Sequence, residues 1–191
     1  MWTREQLEDF RGAEVDDLVG PDVRLVFVGI NPGLMTAATN THFAHPSNRF
    51  YPALHLAGII DRAIPPDGMD DEDRAHLLAR GIAITNVVRH ATARASELTT
   101  ADYRVGAEEL VARVAGWGPA VVAIAGLTAY RTAFRRRGAV AGKQPDGLGD
   151  ARLWVVPNPS GLNAHETVLS LARAYREPAV AAGVEVSPAR W

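Results

Sequence analysis

The chain has 191 residues, a formal net charge of -2 and 47% hydrophobic residues, so it is long enough for one domain with a substantial core. It contains no cysteine, which excludes disulfides, thiolate nucleophiles, Cys-ligated zinc and iron–sulfur clusters. No apolar run approaches twenty residues and no signal peptide is recognisable, so we expect a cytoplasmic protein that does not enter a membrane.

Short apolar runs alternate with helical segments along the chain. The predicted strands cover residues 23–30, 82–88, 120–125 and 152–157. The predicted helices lie within 3–19, at about 47–57, at 70–80, 100–115 and 127–137, and from about 164 to 182. This alternation predicts a single-domain three-layer α/β/α sandwich with a mainly parallel central sheet. The predicted domain covers residues 1–191, with its core at about 23–177.

The first predicted strand ends in a turn, Gly29 to Leu34, that opens a loop over residues 31–46. Asn31 lies just past the carboxyl end of this strand, where ligands bind in open α/β sheets. An amide is too weak to act as a strong base, but it can accept a hydrogen bond from a water and orient it. Hydrolysis of an N-glycosidic bond needs little more help than an oriented water, since the bond to the base breaks before the water attacks. The alternative is that Asn31 only shapes the turn, as an Asx-turn.

A second Asn-Pro turn, Asn158 to Asn163, follows the last predicted strand. Two such turns at the ends of buried strands suggest one cleft built from both. Leu162 is an apolar residue at the tip of this turn, and it is interpreted either as a wedge that enters a base stack or as a staple onto the following helix. Phe43 offers a face on which a flat ring can stack, or it covers the core as a lid.

Several common site motifs are absent. The sequence contains no GxGxxG, GxxxxGK[ST] or HExxH motif, so nucleotide-cofactor and zincin interpretations have no support. His42 and His45 have the spacing of metal ligands, but no third ligand lies near them in the sequence. We therefore expect no metal and no cofactor.

Three segments resemble the mismatch-specific uracil/thymine DNA glycosylases, which are family two of the uracil-DNA glycosylase superfamily. These segments are Gly29 to Leu34, Phe43 to Phe50 and Asn158 to Leu162. Supporting matches are Gly81 to Val88, Tyr130 with Arg137-Gly138, and Gly142-Lys143-Gln144. The resemblance covers about residues 23–177 and implies a glycosylase fold that acts on a flipped-out base.

The resemblance also implies a role for each matching residue. Asn31 is expected to hold the attacking water, and Phe43 to stack on the extruded uracil. Leu162 is expected to fill the gap left in the duplex, while Gly161 faces the widowed guanine. Further base contacts are expected from Ile30, Gly33, Asn86 and Asn158, opposite-strand contacts from Ser160 and Asn163, and phosphate contacts from His45, Arg49 and Lys143.

The implied activity is that of a monofunctional, monomeric DNA glycosylase that excises uracil from duplex DNA, best from G·U mispairs. Asn86 stands where some members of the family carry Lys, and Asn163-Ala164 replaces a Ser-Arg pair found in others. One alternative is a glycosylase for another lesion, such as hypoxanthine, xanthine, ethenocytosine or thymine opposite guanine. Others are a mismatch-binding module without activity and a hydrolase of free nucleosides.

Overall fold

The centre of the fold is a five-stranded sheet, seen in a computed structural model that describes residues 2–191. Its strands are β1 (Leu25–Gly29), β2 (Ile82–Asn86), β3 (Val121–Ala125), β4 (Gly142–Lys143) and β5 (Arg152–Val156). They lie in the order β2-β1-β3-β5-β4, and every pair is parallel except β4 with β5. The mainly parallel sheet predicted from the sequence is therefore confirmed.

Helices cover both faces of this sheet. Within residues 2–191 they are α1 (Arg4–Glu8), α2 (Leu34–Thr39), α3 (Phe50–Leu56), α4 (Asp71–Ala79), α5 (Thr100–Trp117), α6 (Leu127–Ala133) and α7 (Val168–Ala181), with a 3-10 turn at Ala95–Glu97. One core lies between the sheet and helices α3, α4 and α7, and a second core lies between the sheet and helices α5 and α6. These two cores make the predicted three-layer α/β/α sandwich.

Strand β1 shows why the sheet has a core on each side. Successive side chains of a strand point to opposite faces. Leu25 and Phe27 accordingly pack into the first core, while Val26 and Val28 pack into the second. All four side chains are fully buried, as expected for a central strand of a parallel sheet that is covered on both faces.

The loop predicted over residues 31–46 contains a helix that the sequence analysis missed. Helix α2 begins after Gly33 and ends where Asn40 adopts the left-handed conformation, with φ of 45°. Six residues are too few to show a helical repeat of apolar side chains. Burial of Leu34 and Thr36 against the rest of the protein stabilises this short helix instead.

Two predicted helices are shorter than expected. Helix α7 begins at Val168 and not near Ala164, because the Thr167 hydroxyl accepts a hydrogen bond from the Ser170 backbone and caps the helix there. Helix α6 ends at Ala133, two residues before Arg135, whose φ of 57° is incompatible with a continuing helix.

Both ends of the described chain pack against the sandwich. Near the N-terminus, Leu18 exchanges two backbone hydrogen bonds of 2.9 Å with Ile84, so this segment covers the outer edge of β2. Near the C-terminus, the Ser187 backbone N–H donates to the Gly58 carbonyl over 2.8 Å. None of the helices in residues 2–191 combines the length and apolar composition needed to cross a membrane.

The strand order determines where a ligand can bind. Strand β1 lies between β2 and β3, so the chain leaves β1 toward one side and later returns to its other side. In open parallel sheets, such a reversal leaves a crevice at the carboxyl ends of the strands. The residues that follow β1, β2, β3 and β5 meet at this edge.

Candidate active site

A cleft of about 1170 Å³ opens at the carboxyl edge of the sheet. It brings together two loops more than a hundred residues apart, one after β1 and one after β5. Most residues that the sequence analysis singled out line it: Ile30, Asn31, Gly33, Phe43, His45, Asn86, Asn158, Ser160, Gly161, Leu162 and Asn163. Arg49 and Lys143 do not line the cleft.

The side chain of Asn31 is held entirely through its nitrogen. Nδ2 donates to the Thr92 hydroxyl at 2.8 Å and lies 3.1 Å from the Pro32 carbonyl and 3.3 Å from the His90 carbonyl. Carbonyl oxygens only accept hydrogen bonds, which fixes the amide orientation. No hydrogen bond within residues 2–191 reaches Oδ1, so this acceptor is free to bind a water. The bonds seen are also not those of an Asx-turn, in which Oδ1 would accept.

Thr92 orients Asn31, and the sequence analysis missed it. Its hydroxyl donates to the Arg94 carbonyl at 2.9 Å, so the oxygen must accept the hydrogen bond from Asn31. The backbone brings the two residues together, since the Thr92 N–H donates to the Pro32 carbonyl at 3.2 Å. Residues 31 and 92 are far apart in the chain, and no local sequence pattern connects them.

The ring of Phe43 contacts the core, and the residue also lines the cleft. One side of its ring stacks on Phe50 of the core, with centroids 4.0 Å apart and an interplanar angle of 24°. The residue also lines the cleft and is only partly buried. Its φ of 60° is unusual for a residue with a large side chain, and such conformations concentrate at functional sites.

Asn86 ends β2 beside Phe43 and is bonded to the buried His42. His42 Nε2 lies 2.9 Å from the Asp16 carbonyl, and His42 Nδ1 lies 3.0 Å from Asn86 Nδ2. Burial lowers the pKa of His42, which favours the neutral imidazole. His42 and His45, whose spacing in the sequence is that of metal ligands, have different environments: His42 is buried and His45 is exposed.

The second loop is shaped by Asn158. Its Oδ1 accepts from the Ser160 backbone N–H at 3.0 Å, which is the Asx-turn arrangement. Its carbonyl accepts from the Asn163 side chain at 3.1 Å. Leu162, at the tip of this turn, is 91% exposed. Such exposure is incompatible with the staple interpretation, in which Leu162 would pack on the following helix.

The two loops are fastened to each other by Arg49 and Gly161. The Arg49 guanidinium donates to the carbonyls of Ser160, Asn163 and Glu166, with the Asn163 contact at 2.8 Å. A Cβ atom at Gly161 would lie 2.4 Å from the Ser47 hydroxyl oxygen, so only glycine permits this approach. Arg49 therefore holds this loop through its carbonyls, and the phosphate contact expected for Arg49 from the sequence stays a prediction.

Comparison with known proteins gives the family. The profile of the "Uracil DNA glycosylase superfamily" matches residues 17–181, which is most of the chain and includes both loops. The chain belongs to this superfamily. A solution NMR structure of a "putative Uracil DNA glycosylase" from Methanosarcina acetivorans is similar to it, with a TM-score of 0.56 and 15% identity over 88% of this chain and 97% of that one. At this identity the likeness supports the fold alone.

Two arginine side chains of this superfamily member lie at the exposed part of the cleft. Arg4 and Arg94 line the cleft and are exposed, and neither was singled out from the sequence. Lys143 lies outside the cleft, with its Nζ 5.7 Å from the centre of the Trp154 ring. Exposed arginines at the cleft suit a ligand whose phosphates stay outside while one base enters.

Proposed function

We propose that the chain is a monofunctional DNA glycosylase that hydrolyses the N-glycosidic bond of flipped-out uracil, preferentially in G·U mispairs of duplex DNA. Membership of the superfamily supports DNA glycosylase activity. The single observation that carries the proposal is the free Oδ1 of Asn31, whose amide is held at the carboxyl end of β1 by polar contacts of its nitrogen with three oxygens. The site is proposed to be that of the mismatch-specific family.

In the proposed reaction, the bond between C1′ of the sugar and the base breaks ahead of attack, and the base leaves with the bonding electrons. Asn31 Oδ1 accepts a hydrogen bond from a water and aims its oxygen at C1′. The new bond to C1′ forms from this water, which loses a proton to solvent, and the departing base takes up a proton from solvent. The products are the free base and an abasic sugar, and no cofactor enters the balance.

The absence of a strand-cleaving lyase step is proposed from the placement of the amines. A lyase step requires an amine that attacks the sugar to form a Schiff base. Lys143 is the only lysine in the sequence, and it does not line the cleft. Without such an amine, the reaction stops at the abasic site.

The preference for duplex mispairs is proposed from Leu162. Extruding a base costs a few kcal/mol, and the cost is lowest where the pair is already mismatched. An exposed apolar side chain beside the cleft can enter the vacated space and offset part of that cost. The phosphates of the flipped nucleotide would then lie near Arg94 and Arg4 at the rim.

The test is a strand-incision assay with single-turnover kinetics on 5′-labelled oligonucleotides. Uracil is placed opposite each normal base and in single strands, with hypoxanthine, xanthine, ethenocytosine and thymine opposite guanine as further substrates. We expect cleavage of the G·U duplex only after alkali treatment. Cleavage without alkali would contradict the monofunctional mechanism. If the protein bound mispairs but excised no base, the proposal would be wrong and the protein would be a mismatch-binding module.

A further inference from the structure

The bond between His42 and Asn86 joins a cleft residue to a group that the proposed reaction does not use. Both side chains are largely buried, with 3% of His42 and 7% of Asn86 exposed. His42 Nε2 faces the Asp16 carbonyl, and a carbonyl can only accept, so Nε2 must carry the proton. In the neutral imidazole, Nδ1 is then an acceptor. The Asn86 atom 3.0 Å from it must therefore be the amide nitrogen.

This arrangement permits one orientation of the Asn86 amide. If the amide were flipped, Oδ1 would face the Nδ1 lone pair, which is repulsive and leaves a buried acceptor without a donor. In the allowed orientation, Oδ1 lies against Gly29 and beside the ring of Phe43. A Cβ atom at Gly29 would be 2.3 Å from Oδ1 and 3.2 Å from two carbons of that ring. Asn86 therefore offers the cleft an acceptor and one remaining N–H.

This pair of groups is complementary to one chemical class of base. Uracil, thymine, hypoxanthine, xanthine and guanine carry a ring N–H next to a carbonyl oxygen, so they present a donor beside an acceptor. Cytosine and adenine present the reverse, a ring nitrogen that accepts beside an amino group that donates. An Oδ1 that cannot rotate away would face the acceptor nitrogen of cytosine or adenine without a donor between them.

We propose that His42 is a positioning residue that holds the Asn86 amide with Oδ1 toward the base, so that the site favours bases with a ring N–H next to a carbonyl oxygen over cytosine and adenine. This inference rests on the proposed function, because it assigns the base class that the same cleft accepts. The Arg113 guanidinium supports the arrangement from behind β2, since it donates to the Asn86 carbonyl at 2.9 Å. The neutral state of His42, favoured by its burial, preserves the acceptor at Nδ1.

A double-mutant cycle tests whether His42 acts through Asn86. We expect His42→Leu to lower the single-turnover rate of uracil excision about tenfold, since one buried hydrogen bond is lost and the amide is free to turn. In the Asn86→Ala background, the same change should alter the rate by less than about twofold, because residues that act as a unit are not additive. Losses that multiply as if independent would overturn the inference.

A conservative variant separates positioning from simple packing. Asn at position 42 can place an acceptor near the site of Nδ1, so His42→Asn should retain excision within about threefold of wild type, where Leu does not. His76→Leu, on helix α4 and outside the cleft, is the matched control and should behave as wild type. Melting curves show which variants fold. Equal losses in folded Asn and Leu variants would overturn the inference.

Nitrogen-15 NMR of the wild-type protein gives a readout that needs no activity. The imidazole of His42 should carry its proton on Nε2, with Nδ1 unprotonated and coupled through a hydrogen bond to the Asn86 amide. A proton on Nδ1 would overturn the inference even in an active enzyme. Failure of the wild type to excise any base would contradict the proposed function instead, while the tautomer is still measured.

Discussion

The amide nitrogen of Asn31 donates to the Thr92 hydroxyl over 2.8 Å, although 61 residues separate the two in the chain. Because the Thr92 hydroxyl proton is directed to the Arg94 carbonyl, Thr92 can only accept from Asn31. The geometry thus leaves the Asn31 oxygen as the group that meets a water. It also separates two functions, contact with the water and orientation of the amide, which mutations can test independently.

Removing the Asn31 amide should abolish the orientation of the water. We expect Asn31→Ala to lower single-turnover excision about 100-fold or more, the scale associated with losing a positioned catalytic group. Thr92→Val should lower it about tenfold, since the amide remains but one buried hydrogen bond that orients it is lost. Affinity for uracil-containing duplex should change little in both, as measured by fluorescence anisotropy. Wild-type excision by Asn31→Ala would rule out the water-positioning role.

Phe43 can be tested without emptying the space above Phe50. Phe43→Leu keeps an apolar side chain against the core but removes the aromatic face, and stacking on a base is worth about 1–3 kcal/mol by truncation. We expect excision to fall at least about fivefold while the melting temperature changes little. Phe43→Ala should lose both activity and stability. If activity falls only in proportion to stability across the two variants, the lid interpretation is correct.

The exposed side chain of Leu162 predicts a loss that depends on the substrate. Leu162→Ala should slow excision from duplexes, and more for A·U than for G·U, because the former pair is harder to open. Uracil in single strands should be almost unaffected, since nothing has to be unstacked. At 91% exposure, truncation should leave the melting temperature unchanged. Equal slowing on single-stranded and duplex uracil would remove the wedge from the mechanism.

Arg49 and Arg94 form a matched pair for separating loop structure from phosphate binding. Arg49→Met should loosen the loop that carries Leu162 and lower excision, because three backbone carbonyls lose their donors. The salt dependence of duplex binding by Arg49→Met should match that of wild type. Arg94→Met, at the exposed rim, should reduce the slope of log K against log salt by about 1. A reduced slope for Arg49→Met would restore the phosphate contact expected from the sequence.

The burial of His42 predicts an effect of pH on stability. Burial is the largest cause and lowers the pKa of His42 below the ordinary value of 6.5. The charges of Arg74 and Arg113 lower this pKa further, whereas the Asp16 carbonyl and the charge of Asp17 raise it. As the pH falls below about 6.5, the unfolded chain takes up this proton before the native protein does, so the free energy of unfolding decreases. For each unit by which the pH falls, the free energy of unfolding of wild type should decrease by at most about 1.4 kcal/mol more than that of His42→Asn.

Chemical denaturation of both proteins between pH 7.5 and 5 gives this difference. Subtracting the variant removes the contribution of His76, whose pKa burial also lowers. Parallel stability curves for wild type and His42→Asn would show that position 42 does not carry the effect.

The sequence by itself determined the fold class, and most of the residues that it singled out line the cleft. Buried strands of a parallel sheet appear as short apolar runs, and turns appear as Asn, Pro and Gly at their ends, so both are written in local residue order. The resemblance carried by Gly29 to Leu34 and Asn158 to Leu162 indicated the superfamily, which the profile match confirms. The roles assigned to the individual site residues, including Asn31, stay predictions.

Only the tertiary structure decided which polar groups in the cleft are free and which are occupied. The partner of Asn31 is Thr92, the partner of Asn86 is His42, and Arg49 is engaged by carbonyls of a loop more than a hundred residues later. These are single directional bonds between segments that meet through the strand order, and no periodicity or turn preference in either segment encodes them. A hydrogen bond commits one specific lone pair or proton, so the chemistry left for a ligand becomes visible only when every partner is in place.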